Sequence, residues 1–383
     1  MLEFSISIPL SLYIHLPWCL QKCPYCDFNS HALRGAIPED QYIDTLLADL
    51  RADLPLIEGQ PFTSIFLGGG TPSLFSGSAI ARLLDGVRAL HPCKPDLEIT
   101  LEANPGAVEQ ARFAQYRAAG VNRLSLGIQS LNDAKLKALG RIHGRKEAIA
   151  AVAAVRSAGF ENFNLDLMYG LPHQTIDEAL NDLEEVLALE PLHLSWYHLT
   201  LEPNTLFYHQ PPPLPDDDQI ADLQQQGEAL LAAHHFEHYE ISAFARRHTQ
   251  SRHNLNYWEF GDYLGIGAGA HSKITQISKG FVERFSKLKH PKAYLASEGS
   301  FIAERHTLNP DEIPLEFMMN TLRLHRPIEI QLAIERTGQP LNTFYKQLEK
   351  ARDLDLIILT EKTFETTIRG KRFLNELLQI FMR

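Results

Sequence analysis

A chain of 383 residues that is 44% hydrophobic and 22% charged can bury a large core, and one big domain with a smaller one is the natural division. Its formal net charge of -11 disfavours a broad nucleic-acid-binding surface, though not a local basic patch. No stretch approaches the roughly 18 consecutive apolar residues of a membrane span. Residues 1–10 lack the basic start and apolar core of a secretion signal, and clustered free thiols suit a reducing compartment, so a cytoplasmic protein is expected.

The first element is a strand, Ser11–Leu16, and directly after it comes Cys19-Leu20-Gln21-Lys22-Cys23-Pro24-Tyr25-Cys26. Three of the four cysteines fall in these eight residues, and the fourth, Cys93, is remote. A structural zinc takes four ligands, so these thiols would need His15 or His31 to complete such a site. An iron–sulfur cube held by three thiolates instead keeps its fourth iron open to a small ligand, an extension of the usual thiolate rules.

Helix and strand then alternate. Pro38–Leu54 predicts a helix with proline in its first turn, and Ser64–Leu67 a strand running into Gly68-Gly69-Gly70-Thr71-Pro72, whose glycines expose backbone N–H groups and let a ligand approach. Ile80–Leu90 is helical, Leu97–Glu102 extended, Val108–Ala119 helical, and Arg123–Ile128 extended. Arg145–Ser157, Asn162–Met168, Ile176–Leu189 and His193–Leu199 complete the series as helix, strand, helix and strand. Apolar strands separated by one-sided helices predict a parallel, right-handed α/β succession, and six units can form an incomplete (β/α)6 barrel. Ligands of such a barrel lie at the carboxyl ends of the strands, where Gly68–Thr71, Glu102, Gln129 and Asp166 gather.

The spacing C-x3-C-x2-C after a first strand resembles the radical S-adenosylmethionine (radical SAM) superfamily. A series of further motifs narrows the likeness: His15–Cys19, Gly68–Pro72, Glu102–Gly106, Arg123–Ser130, Gly140–His143, Asn164–Pro172 and Glu202–Thr205. In this order they resemble the HemW family of heme chaperones, relatives of the oxygen-independent coproporphyrinogen III oxidase. The resemblance implies a 4Fe–4S cluster on Cys19, Cys23 and Cys26. It implies SAM seated by Tyr13, Gly69, Gly70, Thr71, Glu102, Gln129, Arg141 and Asp166. Glu102 would accept from the amino group of SAM, Arg141 would pair with its carboxylate, and Gln129 and Asp166 would address the ribose. These donors and acceptors suit a ligand with an ammonium, a carboxylate and vicinal hydroxyls.

The second half begins with the stiff Pro211–Pro215, and residues 211–305 are expected to complete the large domain begun by 1–210. Asp216–Ala233 reads as a helix and Phe236–Phe244 as a further strand. Arg246, Arg247, His248 and Arg252 form a basic patch: a solvated face or a contact for a carboxylate-bearing tetrapyrrole. The motif His253-Asn254-Leu255-Asn256-Tyr257-Trp258 resembles the signature of the heme-chaperone branch. It implies His253, Asn254, Tyr257 and Trp258 as heme contacts, while a histidine in a helix cap and aromatics in a core remain open. Gly261–Ser272 predicts a tightly turning, flexible loop closing one side of the ligand region. Residues 306–383 resemble the family's small helical, winged-helix-like domain, with helices over Pro310–His325, Ile328–Thr337 and Leu341–Lys350. A hairpin, Leu356–Thr360 with Thr363–Ile368, and the helix Gly370–Phe381 follow.

The oxidase resembles C-x3-C-x2-C-x-C, but this chain has Phe28 in place of the extra cysteine. The resemblance therefore implies a chaperone that binds heme and passes it to an acceptor protein, with an electron donor as a possible further partner. The alternative is an oxidase-like radical SAM enzyme acting on a tetrapyrrole. No nucleic acid is expected as a partner.

Overall fold

The computed structural model describes residues 2–382. Six parallel strands follow in chain order: β1 (Leu10–Leu16), β2 (Phe62–Gly69), β3 (Cys93–Ala103), β4 (Arg123–Gln129), β5 (Asn162–Tyr169) and β6 (His193–His198). β1 and β4 are buried along nearly their whole length, as strands of a sheet covered on its faces must be. Helices Glu39–Asp53, Gly77–Leu90, Arg145–Ser157 and Ile176–Ala188 return the chain between strands. The last begins with a capping box, in which Thr175 and Glu178 satisfy each other's backbone N–H groups. The helix predicted over Val108–Ala119 is broken into Ala107–Gln110 and Phe113–Ala118. This is the incomplete (β/α)6 barrel that the alternation predicts.

Among the described residues the sheet has twelve strands, because both edges are extended. The segment predicted as one strand, Phe236–Phe244, is a hairpin, β7 (Glu237–Glu240) and β8 (Ala243–Ala245), with β8 antiparallel to β6. At the other edge β9 (Asp262–Ile266) runs parallel to β1. The antiparallel strands β10 (His271–Gln276), β11 (Phe281–Lys287) and β12 (Ile302–Thr307) follow it. The expected loop Gly261–Ser272 is thus two strands and a turn. Gly265 lies so close to the His271 backbone that a side chain there would collide with it.

A second apolar core, with Phe317, Met318, Phe344, Leu348 and Phe364 fully buried, gathers the carboxyl-terminal region. Helices Ile313–Thr321, Ile330–Thr337 and Tyr345–Asp353 pack there beside a three-stranded sheet of Ile328–Glu329, Thr363–Thr366 and Ile357–Leu359. The predicted final helix is two short ones, Ile368–Arg372 and Leu374–Gln379. No helix among the described residues is long and apolar enough to cross a membrane.

Candidate functional site

The carboxyl ends of the barrel strands open into a cavity of about 410 Å³. Its lining joins the three cysteines to Gly69, Gly70, Thr71, Glu102, Gln129, Arg141 and Asp166, so a set scattered over some 150 positions of sequence becomes one surface. Tyr13 is not brought to it. That side chain points into the barrel below, where its hydroxyl lies 3.0 Å from His15 Nδ1 and its ring stacks on Phe66.

The cysteine loop is closed at its neck by a two-residue parallel ladder, Trp18–Cys19 against His31–Ala32. Gly70 explains how the loop seats on the barrel: a Cβ there would stand 2.6 Å from the Trp18 carbonyl oxygen, and Thr71 N donates to that oxygen at 2.8 Å. Gly69 adopts φ +114°, and its missing side chain makes room for the His15 ring. The glycine run therefore lets two backbones approach, in addition to lining the cavity. At the loop's far end Asn29 Nδ2 donates to Ala268 O and Lys289 O, both at 2.9 Å. The turn between β9 and β10 thus braces the cysteine loop from behind, and its glycines are not among the cavity's lining residues.

All four cysteines are free thiols. Burial pushes the thiols of Cys19 and Cys26 up from their ordinary range. Cys93 opens β3 away from the cavity, its sulfur 3.8 Å from His91 O. Both nitrogens of His15 are engaged, Nδ1 with Tyr13 and Nε2 with Asn29 O at 2.8 Å, so this histidine has no free nitrogen for a metal. Among the described residues no three histidine, cysteine or carboxylate side chains are gathered about a single-ion site. A cube asks for no such convergence, because its irons are separate and each of the three thiolates would go to a different one. Three thiols on a braced loop facing one cavity fit that group.

Above them the polar residues carry the marks of a ligand site. Glu102 accepts from Gly69 N at 3.2 Å, and its carboxyl is pushed up to about 8 by burial first and by Asp166 second. Asp166 is raised by burial while accepting from Asn164 Nδ2 at 2.7 Å and Ser125 Oγ at 3.2 Å. Gln129 sits at φ +66°, an uncommon conformation for a side-chain-bearing residue, and accepts from the Tyr197 hydroxyl at 2.7 Å. The guanidinium of Arg141 donates to Asn104 Oδ1 at 2.7 Å and Gly127 O at 2.8 Å, and reaches Cys23 Sγ at 3.6 Å. Its Nε is buried without a partner. Asn104, Tyr197 and His198 also line the cavity. Asn104 belongs to a quoted motif, yet a lone polar residue after a strand has no spacing that would single it out.

The expected heme contacts lie elsewhere. Helix Arg252–Trp258 packs at the amino-terminal ends of the strands, the opposite end of the barrel from the cavity. Glu98 accepts from the backbone N–H of Arg252 and His253 at 3.2 and 3.0 Å. His253 is 1% exposed. Its Nδ1 lies 2.9 Å from Ser64 Oγ and its Nε2 3.0 Å from the Tyr257 hydroxyl, and its ring stacks on Phe66. Burial, with the nearby Arg123 charge, lowers its pKa to about 3. In this geometry both ring nitrogens are engaged within the protein, and helix Arg252–Trp258 forms a plug at this end of the barrel. Tyr257 packs edge-on against Tyr263, Asn254 lies half-buried in the helix's first turn, and Trp258 joins the carboxyl-terminal core beneath Arg323. The basic patch is partly spent, since Arg252 pairs with Asp96 and Arg246 lies over Phe236.

An open barrel of six parallel strands with a three-cysteine loop at its mouth defines a radical SAM protein. The Radical SAM superfamily matches residues 13–186, and the HemN C-terminal domain matches 308–373. The chain belongs to the HemW family. It is 49% identical to "Heme chaperone HemW" of Escherichia coli (strain K12) and 50% identical to that of Haemophilus influenzae, with 98% of both chains covered in each case. Among solved structures, coproporphyrinogen III oxidase (HemN) from Escherichia coli superposes with a TM-score of 0.82 at 26% identity, covering 98% of this chain and 90% of that one.

Proposed function

We infer that the protein is a cytoplasmic heme chaperone: it binds heme and transfers it to an acceptor protein, under the influence of a 4Fe–4S cluster and SAM. The observation that carries this reading is the pairing of the three-cysteine cavity with Phe28, which stands where an oxidase would have a further cysteine and is 60% exposed at the cavity rim. Similarity to heme chaperones over the whole chain supports it.

Cys19, Cys23 and Cys26 would hold the cluster. When bound, cluster and SAM supply one-electron chemistry at the sulfonium, and the protein's share is binding, orientation and exclusion of water. Glu102, once ionised, would receive the SAM ammonium. Gln129 and Asp166 would meet the ribose hydroxyls, and the backbone of Gly69, Gly70 and Thr71 would border the methionine end. Residues 1–305 would act as one functional body and 306–383 as a docking or lid module. The heme-contact role of His253, Asn254, Tyr257 and Trp258 would require helix Arg252–Trp258 to swing outward.

The likeness to the oxidase fold favours a second reading, a radical SAM enzyme acting on a tetrapyrrole. Anaerobic reconstitution followed by two parallel assays separates them. The chaperone reading expects heme transfer to an apo-hemoprotein without decarboxylation of coproporphyrinogen III. Decarboxylation with SAM consumption, or an intact cluster without heme transfer, overturns it.

A further inference from the structure

Arg141 stands where a SAM carboxylate is expected to find its partner, and both of its terminal amino groups are already engaged while Nε is not. One amino group is pinned between Asn104 Oδ1 at 2.7 Å and Gly127 O at 2.8 Å, and the other lies 3.6 Å from Cys23 Sγ. The turn that carries it is fitted to the cysteine loop. Gly140 has φ +69°, and a Cβ there would stand 2.9 Å from Pro24 Cδ. Gln21 Nε2 donates to Gly140 O at 3.4 Å. A planar guanidinium fixed on one edge by two oxygens holds its other edge in a set direction, which a lysine ammonium cannot do.

We propose that Arg141 is a positioning residue of the cluster: it holds the Cys23 thiolate by a charge-assisted N–H···S hydrogen bond and thereby raises the cluster's reduction potential. This rests on the cluster reading given above. Hydrogen bonds to cluster sulfurs and net charge are among the properties that set such potentials. A fixed cation beside the thiolate favours the form that has gained one negative charge. The step concerned is the uptake of one electron by the oxidised cube from a low-potential electron carrier. Arg141 exchanges no proton in it, since a guanidinium stays charged at any working pH. Because Asn104 and Gly127 are also cavity residues, a ligand that displaces either contact would alter the grip on Cys23 and move the potential.

The test is a mediated redox titration of anaerobically reconstituted protein, followed by the reduced cluster's paramagnetic resonance and by iron–sulfur vibrational bands. Arg141→Gln is expected to lower the ratio of reduced to oxidised cluster at fixed potential about tenfold, equivalent to about 59 mV for one electron. Arg141→Lys, which keeps the charge and loses the fork, should fall between. Asn104→Ala, which leaves the cysteines and Arg141 in place but frees the guanidinium, should shift the potential in the same direction by less. Unchanged potentials and vibrational bands in Arg141→Gln and Asn104→Ala overturn the proposal. If Arg141→Gln holds no iron, Asn104→Ala decides alone by the same criterion. Failure of the wild-type protein to take up iron and sulfide would instead remove the cluster reading itself.

Discussion

The two ends of this barrel are both polar, and both place a basic side chain among aromatic and carboxylate neighbours, yet they close their hydrogen bonds differently. At the amino-terminal end His253 spends both ring nitrogens inside the protein, and Glu98 takes the first N–H groups of its helix. On that helix the exception is Trp258, whose indole Nε1 is buried without a partner. At the carboxyl-terminal end Arg141 Nε is stranded, Gln129 holds a left-handed backbone and Glu102 is pushed up to about 8. Satisfied buried polar groups add to stability, whereas unmet ones and local strain persist where something else is to be bound. Residue type does not distinguish the two ends, and neither do stranded polar atoms alone, since Arg123 Nε is also buried without a partner. What sets the mouth apart is that a left-handed Gln129 and a carboxyl pushed up to about 8 border one cavity.

The largest effect expected at the mouth is from Cys23→Ala. It should abolish cluster absorbance after reconstitution, read as iron and sulfide content, while far-ultraviolet circular dichroism stays native. A cluster retained at full occupancy would break the assignment of the mouth as the metal end. At the plug, His253→Ala should act on stability. Removing a fully buried ring leaves a void and strands Ser64 and Tyr257, a loss of about 3 kcal/mol or more, read by denaturant unfolding. Heme taken up per folded molecule should show an unchanged absorption spectrum. A changed spectrum with unchanged stability would erase the distinction between the ends.

How far the sequence revealed these ends follows from the physics of each signal. The six barrel strands were legible because apolar residues recur at strand spacing between one-sided helices, as with the fully buried Leu124, Leu126 and Ile128. Strands β10 and β11 were not, because they bury charges: Lys273 pairs with Asp262 at 2.9 Å, and Lys287 lies between Asp49 and Asp53, fully enclosed. A buried lysine reads as a surface residue until its distant partner is known. The cysteines stood out through their spacing, their place directly after the first strand and the motifs that follow. That Tyr13 and His253 lie outside the cavity lining was not legible, because the pleat of β1 decides which way a strand side chain points and the same histidine motif suits a ligand or a plug. The break at Phe373 in the last helix left no pattern strong enough to override apolar periodicity.

Gly70→Ala sharpens the comparison at the mouth's structural side. The added methyl would stand 2.6 Å from the Trp18 carbonyl oxygen, a backbone atom in the neck of the cysteine loop, so the loop must shift. A cost of about 1–3 kcal/mol is expected, with a reduced yield of cluster per chain. The same change at Gly159, where nothing lies within 4 Å of the new Cβ, leaves the loop untouched and should give a native cluster yield; its φ of +82° costs stability only.

The smallest effect concerns Glu102 and its proton. In the ligand-free protein the carboxyl is pushed from 4.5 up to about 8, so at pH 7 it is mostly neutral. Because the folded state holds this proton more tightly than the unfolded chain, the contribution of Glu102 to stability falls as pH rises from 4.5 to about 8. An ammonium ligand reverses the preference, since it needs the carboxylate. SAM affinity should therefore climb with pH, at most tenfold per unit, and stop climbing near pH 8, where Glu102 is ionised and the ligand's own ammonium begins to lose its proton. Isothermal titration at pH 6, 7, 8 and 9 (values of about one unit's spacing suffice) would show the slope, and Glu102→Gln should bind more weakly and flatten it. A slope that survives in Glu102→Gln would assign the proton to another group and leave Glu102 as passive as the satisfied residues of the plug.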